Sequence, residues 1–356
     1  MHTSPRPFHG WRVVAGAFVI AVFGWGLGFY GPPIYLHALT DQRGWSVGLV
    51  SGATTLHYLS GAALIAVLPR LYARFGLGRV TRLGTLALAL GLVGWAAAQA
   101  PWQLFVATLF TGCGWVTLGA AAINAMVAPW FARLRPRALS MAYNGASVGG
   151  IVFAPLWVFL IERFGFLAAA VVLGVAALVV VGGIATRIVA VKPSELGQFP
   201  DGEAAGPAAA AASQGAALPA GALWRDRGFR TLAAAMALGL FAQIGLVAHL
   251  YSLIASPLGT GLAGVVAGLA TASAIVGRTM FGWMMPAGAD RRVWASASYA
   301  VQAAGVVALM ASGLEGPSAI LAGVLLFGFG IGNATSLPPL IAQAEFVRRM
   351  PHGWCR

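Results

Sequence analysis

The chain has 356 residues, of which 59% are hydrophobic and only 9% charged, with a mean hydropathy of +0.81. A soluble domain carries about 25% charge, so this composition excludes a water-soluble globular protein and predicts an all-α, polytopic membrane helix bundle. The formal charge of +13 invites nucleic acid as a partner, but the distribution of the cations argues against it.

A bilayer core of roughly 30 Å takes about 20 apolar residues per crossing, and ten such spans are predicted. In chain order they are 12–36, 46–68, 80–99, 102–128, 138–161, 166–187, 230–255, 260–283, 293–313 and 318–342. The first span is too long for a cleaved leader and lacks a small-residue exit, so it is expected to stay as a helix. With the N-terminus on the cytoplasmic side, every Lys and Arg falls on that side except Arg43, Arg163 and Arg278. The positive-inside rule produces this bias, and anionic lipid headgroups are the expected neighbours. Charge here records topology, in a plasma membrane of the bacterial inner type, with no nucleic-acid partner. Cys113 lies mid-helix and Cys355 in the tail, so neither a disulfide nor a metal site is implied.

Between the sixth and seventh spans, residues 188–229 form a polar and then Ala/Gly/Pro-rich stretch that reads as a flexible cytoplasmic linker. It divides the chain into a six-helix bundle, 1–187, and a four-helix bundle with a short tail, 230–356. The two halves echo each other. Gly112-x-Gly114 and Asn124 precede Pro129 in span four, and Gly328-x-Gly330-x-Gly332-Asn333 precedes Pro338-Pro339 in span ten. Small residues let helices approach closely in lipid, and a proline frees a carbonyl that only a neighbour or a cavity can satisfy. Duplication of this kind marks secondary transporters whose site lies between repeats. The second half is two helices short of the first, and the eleven residues from Phe346 to Arg356 cannot cross a bilayer. A C-terminally truncated twelve-helix ancestor is the expectation.

Arg278 is the only strongly charged residue deep inside a span. A central arginine costs about 2.5–3.5 kcal/mol on insertion scales, which suggests use. It sits roughly six residues, about 9 Å, from the middle of its span, so snorkelling to the headgroups is the plain alternative. A guanidinium that grips a carboxylate with two parallel bonds suits an anionic solute. Asn124, Asn333, Tyr143, Asn144 and Gln243 are polar groups that either line a solute cavity or hydrogen-bond across helices as glue. Tyr30, beside Gly31-Pro32-Pro33, is a cavity aromatic or an interfacial belt residue. His57 and His249 are the candidates for proton coupling near neutral pH, against the plain reading of packed histidines. No nucleophile elbow, paired carboxylates or His-rich pattern marks an enzyme or a metal or cofactor site.

The stretch Pro129-Trp130-Phe131-Ala132-Arg133-Leu134-Arg135-Pro136-Arg137, followed by Gly145-x-x-x-Gly149-Gly150 and Ala154-Pro155, resembles the major facilitator superfamily. Within it, the chain is similar to monocarboxylate porters and oxalate/formate antiporters. The segment Gly332 to Gln343 is similar to the tenth helix of bacterial members, and Arg278 stands four residues before Gly282 as the family's substrate-facing arginine stands before its loop-opening glycine. The resemblance implies a monomeric, twelve-helix alternating-access fold carrying a small organic anion, with Arg278 on the substrate carboxylate. A sugar or drug carrier, or a non-transporting remnant, is the alternative. Departures are plain: Pro69 and Ala73 replace the glycine and aspartate of the family's loop between helices two and three. Ala274 stands where proton-coupled animal members carry an aspartate, and the first span holds no lysine.

Overall fold

The computed structural model describes residues 7–202, 216–217, 223–286, 288–313 and 316–348; a few side chains inside its helices, His249 among them, fall outside the description. Thirteen α-helices follow one another among these residues. They are α1 Gly10–Gly28, α2 Gly31–Arg43, α3 Val47–Phe75, α4 Leu77–Ala97, α5 Pro101–Val116, α6 Ala120–Val127, α7 Arg135–Phe164 and α8 Phe166–Ile184, then α9 Arg227–Leu258, α10 Thr260–Met284, α11 Arg291–Ala311, α12 Pro317–Ile331 and α13 Asn333–Glu345. A π-helical turn, Ala185–Val189, extends α8, and a two-residue antiparallel ladder pairs β1 Ala216–Ala217 with β2 Val347–Arg348. Nine stretches among the described residues are long and apolar enough to cross a bilayer, and α10 adds a 25-residue helix at the eighth predicted span. The chain is an integral, multi-pass membrane protein.

Three predicted spans are broken where continuous helices were expected. The first divides at Phe29–Tyr30 because Pro32 and Pro33 have no N–H, which leaves the carbonyls of Gly28 and Phe29 without their helical donors. The fourth divides between α5 and α6, where Thr117, Leu118 and Gly119 bond back by three residues, to Gly114, Trp115 and Val116, tightening the last turn. The tenth divides at Gly332, shortly before Pro338 and Pro339. Two other expectations are corrected. Pro69 lies inside α3, which runs on to Phe75 and ends at Gly76 with φ 78°, so 69–75 is helix and not loop. Gly282 lies in the last turn of α10 and not at the opening of a loop.

The chain divides into two compact units. Unit 1 holds the described residues up to Phe131 together with Met141–Gly202; unit 2 holds Ala132–Ser140 and the described residues beyond Gly202. The expected flexible linker is in part ordered. Gln198 accepts from the His9 amide at 2.9 Å and donates to Pro7 O, and the Asp201 amide bonds Trp130 O, which ties 193–202 to unit 1. The Ala/Gly/Pro run lies largely outside the described residues.

Within unit 1, Gly145 and Gly149 seat α7 on α1, since a Cβ at either would meet Phe18 O or Val22 O. Unit 1 and unit 2 also use the same glycine device in the same register. A Cβ at Gly114 would stand 2.4 Å from Leu88 N and 2.6 Å from Gly84 O of α4. A Cβ at Gly330 would stand 2.2 Å from Gln302 Cγ and 2.6 Å from Ser298 O of α11. One turn earlier, Gly91 meets Thr111 and Ala107 O as Gly305 meets Phe327 N and Gly323 O. Gly112 approaches His57 O of α3 as Gly328 approaches Ala270 O of α10. So the contacts of α5 with α3 and α4 are repeated in those of α12 with α10 and α11.

Candidate functional site

In unit 1 the break between α1 and α2 is repaired by side chains. The Gly28 carbonyl accepts from His57 Nε2 at 2.9 Å, the donor that Pro32 lacks, and Tyr35 Oη donates to Leu27 O at 2.8 Å. Because a carbonyl only accepts, Nε2 carries the proton; Nδ1 and the Thr111 hydroxyl bond each other at 2.9 Å, and Trp95 Nε1 donates to that hydroxyl at 3.2 Å. His57 is 1% exposed and stacks on Trp115 at 5.6 Å. Each of its ring nitrogens is engaged. The candidate proton carrier therefore stands in a closed network that holds a broken helix.

Asn124 and Tyr143 come together. Asn124 Nδ2 donates to Tyr143 Oη at 2.5 Å and to Ala120 O at 3.0 Å, and Tyr143 Oη donates to Ala120 O at 2.9 Å. Tyr143 is fully buried, with Trp25 edge-on at 6.3 Å. Tyr143→Phe should therefore cost about 1 kcal/mol, the net worth of a buried hydrogen bond, and lower the melting midpoint by about 2–4 °C; a detergent melting curve checks it. Tyr30 fills the notch left by Gly150, where a Cβ would stand 2.6 Å from its ring. Asn144 is half-buried on α7 beside Tyr143.

Unit 2 gathers the remaining residues. Arg278 on α10 is 4% exposed, and its Nε donates to the Gly332 carbonyl at 2.7 Å, at the break between α12 and α13. Gly332 is required there: a Cβ would meet Ala274 O at 2.4 Å and Arg278 Cβ at 2.9 Å. Holding Nε on a backbone acceptor fixes the plane of the guanidinium, which is what bidentate recognition demands. Gln243 on α9 donates from Nε2 to Gln302 Oε1 at 2.5 Å, both residues being buried. Asn333, 2% exposed, has no partner on either amide atom. It lines a cavity of about 100 Å³ with Thr231, Arg292, Ser298, Tyr299 and Pro338.

Sequence reasoning missed three participants. Thr111 carries no signal of its own, because threonine in a helix usually bonds back to its own backbone. Gln302 is a lone amide in the middle of the ninth span and was open to the same reasoning as Gln243. Tyr299 stands one turn from it.

The sequence profile of the Major Facilitator Superfamily matches residues 15–350. Two curated relatives are each 28% identical. "MFS-type transporter 1" of Ophiocordyceps sp. (strain BCC 1869) aligns over 45% of this chain and 36% of its own length, and mouse monocarboxylate transporter 11 over 46% and 37%. The matched region thus spans little more than a third of each relative. Among solved structures, the human organic anion transporter MFSD10 (TETRAN) superposes with a TM-score of 0.59 at 14% identity, over 97% of this chain and 87% of that one. At that identity the likeness is one of fold.

Proposed function

We propose that this chain, which belongs to the Major Facilitator Superfamily, is a secondary transporter of a small organic anion of the monocarboxylate kind, working by alternating access. The observation that carries the reading is Arg278: an arginine buried in a transmembrane helix, with Nε anchored on Gly332 O where α12 gives way to α13. Burying a guanidinium in a bilayer is costly, and a carboxylate with two oxygens is the ligand its fork fits. Helix breaks at Gly28–Gly31, Val116–Ala120 and Gly332 supply backbone polar groups at membrane depth, a feature of transporter substrate sites. The printed names of two similar proteins, a monocarboxylate transporter and an organic anion transporter, point to the same solute class. Asn124, Tyr143, Asn144, Tyr30, Gln243 and Asn333 are the polar complement we assign to this function. His57 and His249 are its candidate proton groups. The charge bias supports the cytoplasmic N-terminus we assign, and a plasma membrane is part of the same assignment.

A second reading rests on the same bond: Arg278 braces the α12–α13 break and touches no solute. The purified chain, melted in detergent with pyruvate, lactate, formate or oxalate, separates the two. A carboxylate at 100 times its Kd adds about 2.7 kcal/mol to stability and raises the melting midpoint by several degrees. In Arg278→Ala and Arg278→Lys that rise should disappear, because neither offers a two-pronged donor. A rise that persists in Arg278→Ala leaves Arg278 as a brace, and no rise with any carboxylate in folded wild-type protein overturns the organic-anion assignment.

A further inference from the structure

Two arginines stand in the opening turns of α4. Arg79 and Arg82 are three residues apart, so they share one face of the helix, and both are exposed. Leu83, Leu86 and Leu90 continue the same stripe at steps of three and four, at 62%, 42% and 56% exposure. Neither guanidinium has a protein partner among the described residues. Because α4 is a 21-residue candidate span, about the length of one crossing, its opening turns lie at the level of the lipid headgroups.

The stripe faces a furrow in unit 1. Its second wall is α8, which is seated closely on α4: a Cβ at Gly78 would meet Ala185 O at 2.6 Å, and a Cβ at Gly174 would stand 3.3 Å from Ala89 Cβ. Beside that seam a cavity of about 440 Å³ is lined by Arg79, Arg82, Leu83 and Leu86 of α4 and by Leu178 and Gly182 of α8. Gly182 keeps it open, since a Cβ there meets nothing within 4 Å. One end of the cavity is thus cationic and the rest is hydrocarbon.

The electrostatics of this end are one-sided. The helix α4 starts at Gly76 without a side-chain cap and with no acidic residue in its first turn, so Arg79 adds to the positive end of the helix dipole where an anion is favoured. No Asp or Glu occurs in α3, α4 or α8, while Arg70, Arg74 and Arg187 add positive charge at the same end. Cations that only record topology could stand anywhere on the cytoplasmic side. These two converge on an apolar furrow at a helix N-terminus, with no protein anion beside them among the described residues.

We propose that the α4–α8 furrow is a specific site for one anionic phospholipid. Arg79 and Arg82 hold the phosphate by charge-assisted bonds, and one acyl chain runs past Leu83 and Leu86 against Leu178, over Gly182. A lipid satisfies both parts of the site at once. A soluble anion would leave the apolar walls unused, and an apolar helix would bury two unpaired guanidiniums, which is costly. Basic pockets between membrane helices on the cytoplasmic side are where anionic headgroups bind. The inference is independent of the transported solute.

The probe is a phosphatidylglycerol with a diazirine midway along one acyl chain, added in trace to phosphatidylcholine liposomes that hold the full chain. The control is a phosphatidylcholine with identical chains. After irradiation, adducts are mapped by mass spectrometry. On Leu83, Leu86 and Leu178 the anionic probe should label roughly ten times as often as the zwitterionic one, a preference of about 1.4 kcal/mol. Arg79→Gln with Arg82→Gln should bring the two probes level. Arg70→Gln with Arg74→Gln, which removes the same charge from α3, should leave the preference in place. Gly182→Leu fills the furrow, spares both arginines and should lower labelling by the anionic probe severalfold. Equal labelling by the two probes in the unaltered chain overturns the proposal. So does an equal loss in both arginine pairs, which would mean a diffuse layer of lipid around a basic rim. Efficient disulfide coupling of two chains through Leu86→Cys also overturns it, because the furrow would then be a contact between copies.

Discussion

Gly112→Ala should leave little folded protein, whereas Gly182→Ala should be harmless or slightly stabilising. The added Cβ at 112 would stand 2.0 Å from His57 O and 2.1 Å from Ser60 Oγ, and at 182 it meets nothing within 4 Å. No rotamer change relieves a contact between a Cβ and a carbonyl on the facing helix, so α3 and α5 must separate. That separation also breaks the network around His57 and Thr111. Overpacking of a dense interior costs about 1–3 kcal/mol and occasionally more, and a backbone clash of this depth belongs at about 3 kcal/mol or above. Against a total stability of about 5–15 kcal/mol, such a loss shows as reduced yield and a much lower melting midpoint. Gly328→Ala, whose Cβ would meet Ala270 O at 2.4 Å, should fail in the same way, because it is the repeat counterpart. At Gly182 the substitution removes a helix-interior glycine and gains about 0.5–1 kcal/mol. If Gly112→Ala melts with the wild type, α3 and α5 do not pack at this glycine.

The glycines at 112, 114, 328 and 330 were legible in the sequence as a repeated pattern, because small residues at helix interfaces have one dominant physical use in lipid. The positions of the crossings were legible for a similar reason: hydropathy over about 20 residues is a strong constraint. Where the helices break was not. The Pro32-Pro33 pair signalled lost donors, but a proline inside a membrane helix is tolerated when neighbours satisfy the freed carbonyl, as Pro69 in α3 shows. Whether His57 or another group would reach Gly28 depends on the packing of α3 against α1, which no single segment encodes. The pairing of Asn124 with Tyr143 is of this kind, as is that of Gln243 with Gln302. Each residue announced a need for a partner, and the fold chose which. Arg278 was legible as an anomaly of charge; its bond to Gly332 O was not, since it joins α10 to a break in another helix.

His57→Leu should be the most damaging substitution in unit 1 outside the glycines. It removes the side-chain donor to the Gly28 carbonyl and one of the partners of the Thr111 hydroxyl, and leucine offers neither. An unsatisfied buried group costs about 1–3 kcal/mol, so a loss of roughly 2–5 kcal/mol is expected. His57→Gln keeps an amide donor and should recover part of it. The decisive variant is the double mutant with Pro32→Ala. Alanine restores an N–H at the position that would normally serve Gly28 O, so the damage from His57→Leu should shrink in that background. Residues sharing one acceptor are coupled, and independent sites add to within about 0.3–0.5 kcal/mol. Melting midpoints of the four proteins give the coupling directly. Strict additivity would mean that His57 does not stand in for the missing amide, and that the break between α1 and α2 is held by the aromatic packing of Trp115 and Tyr58 around the imidazole instead.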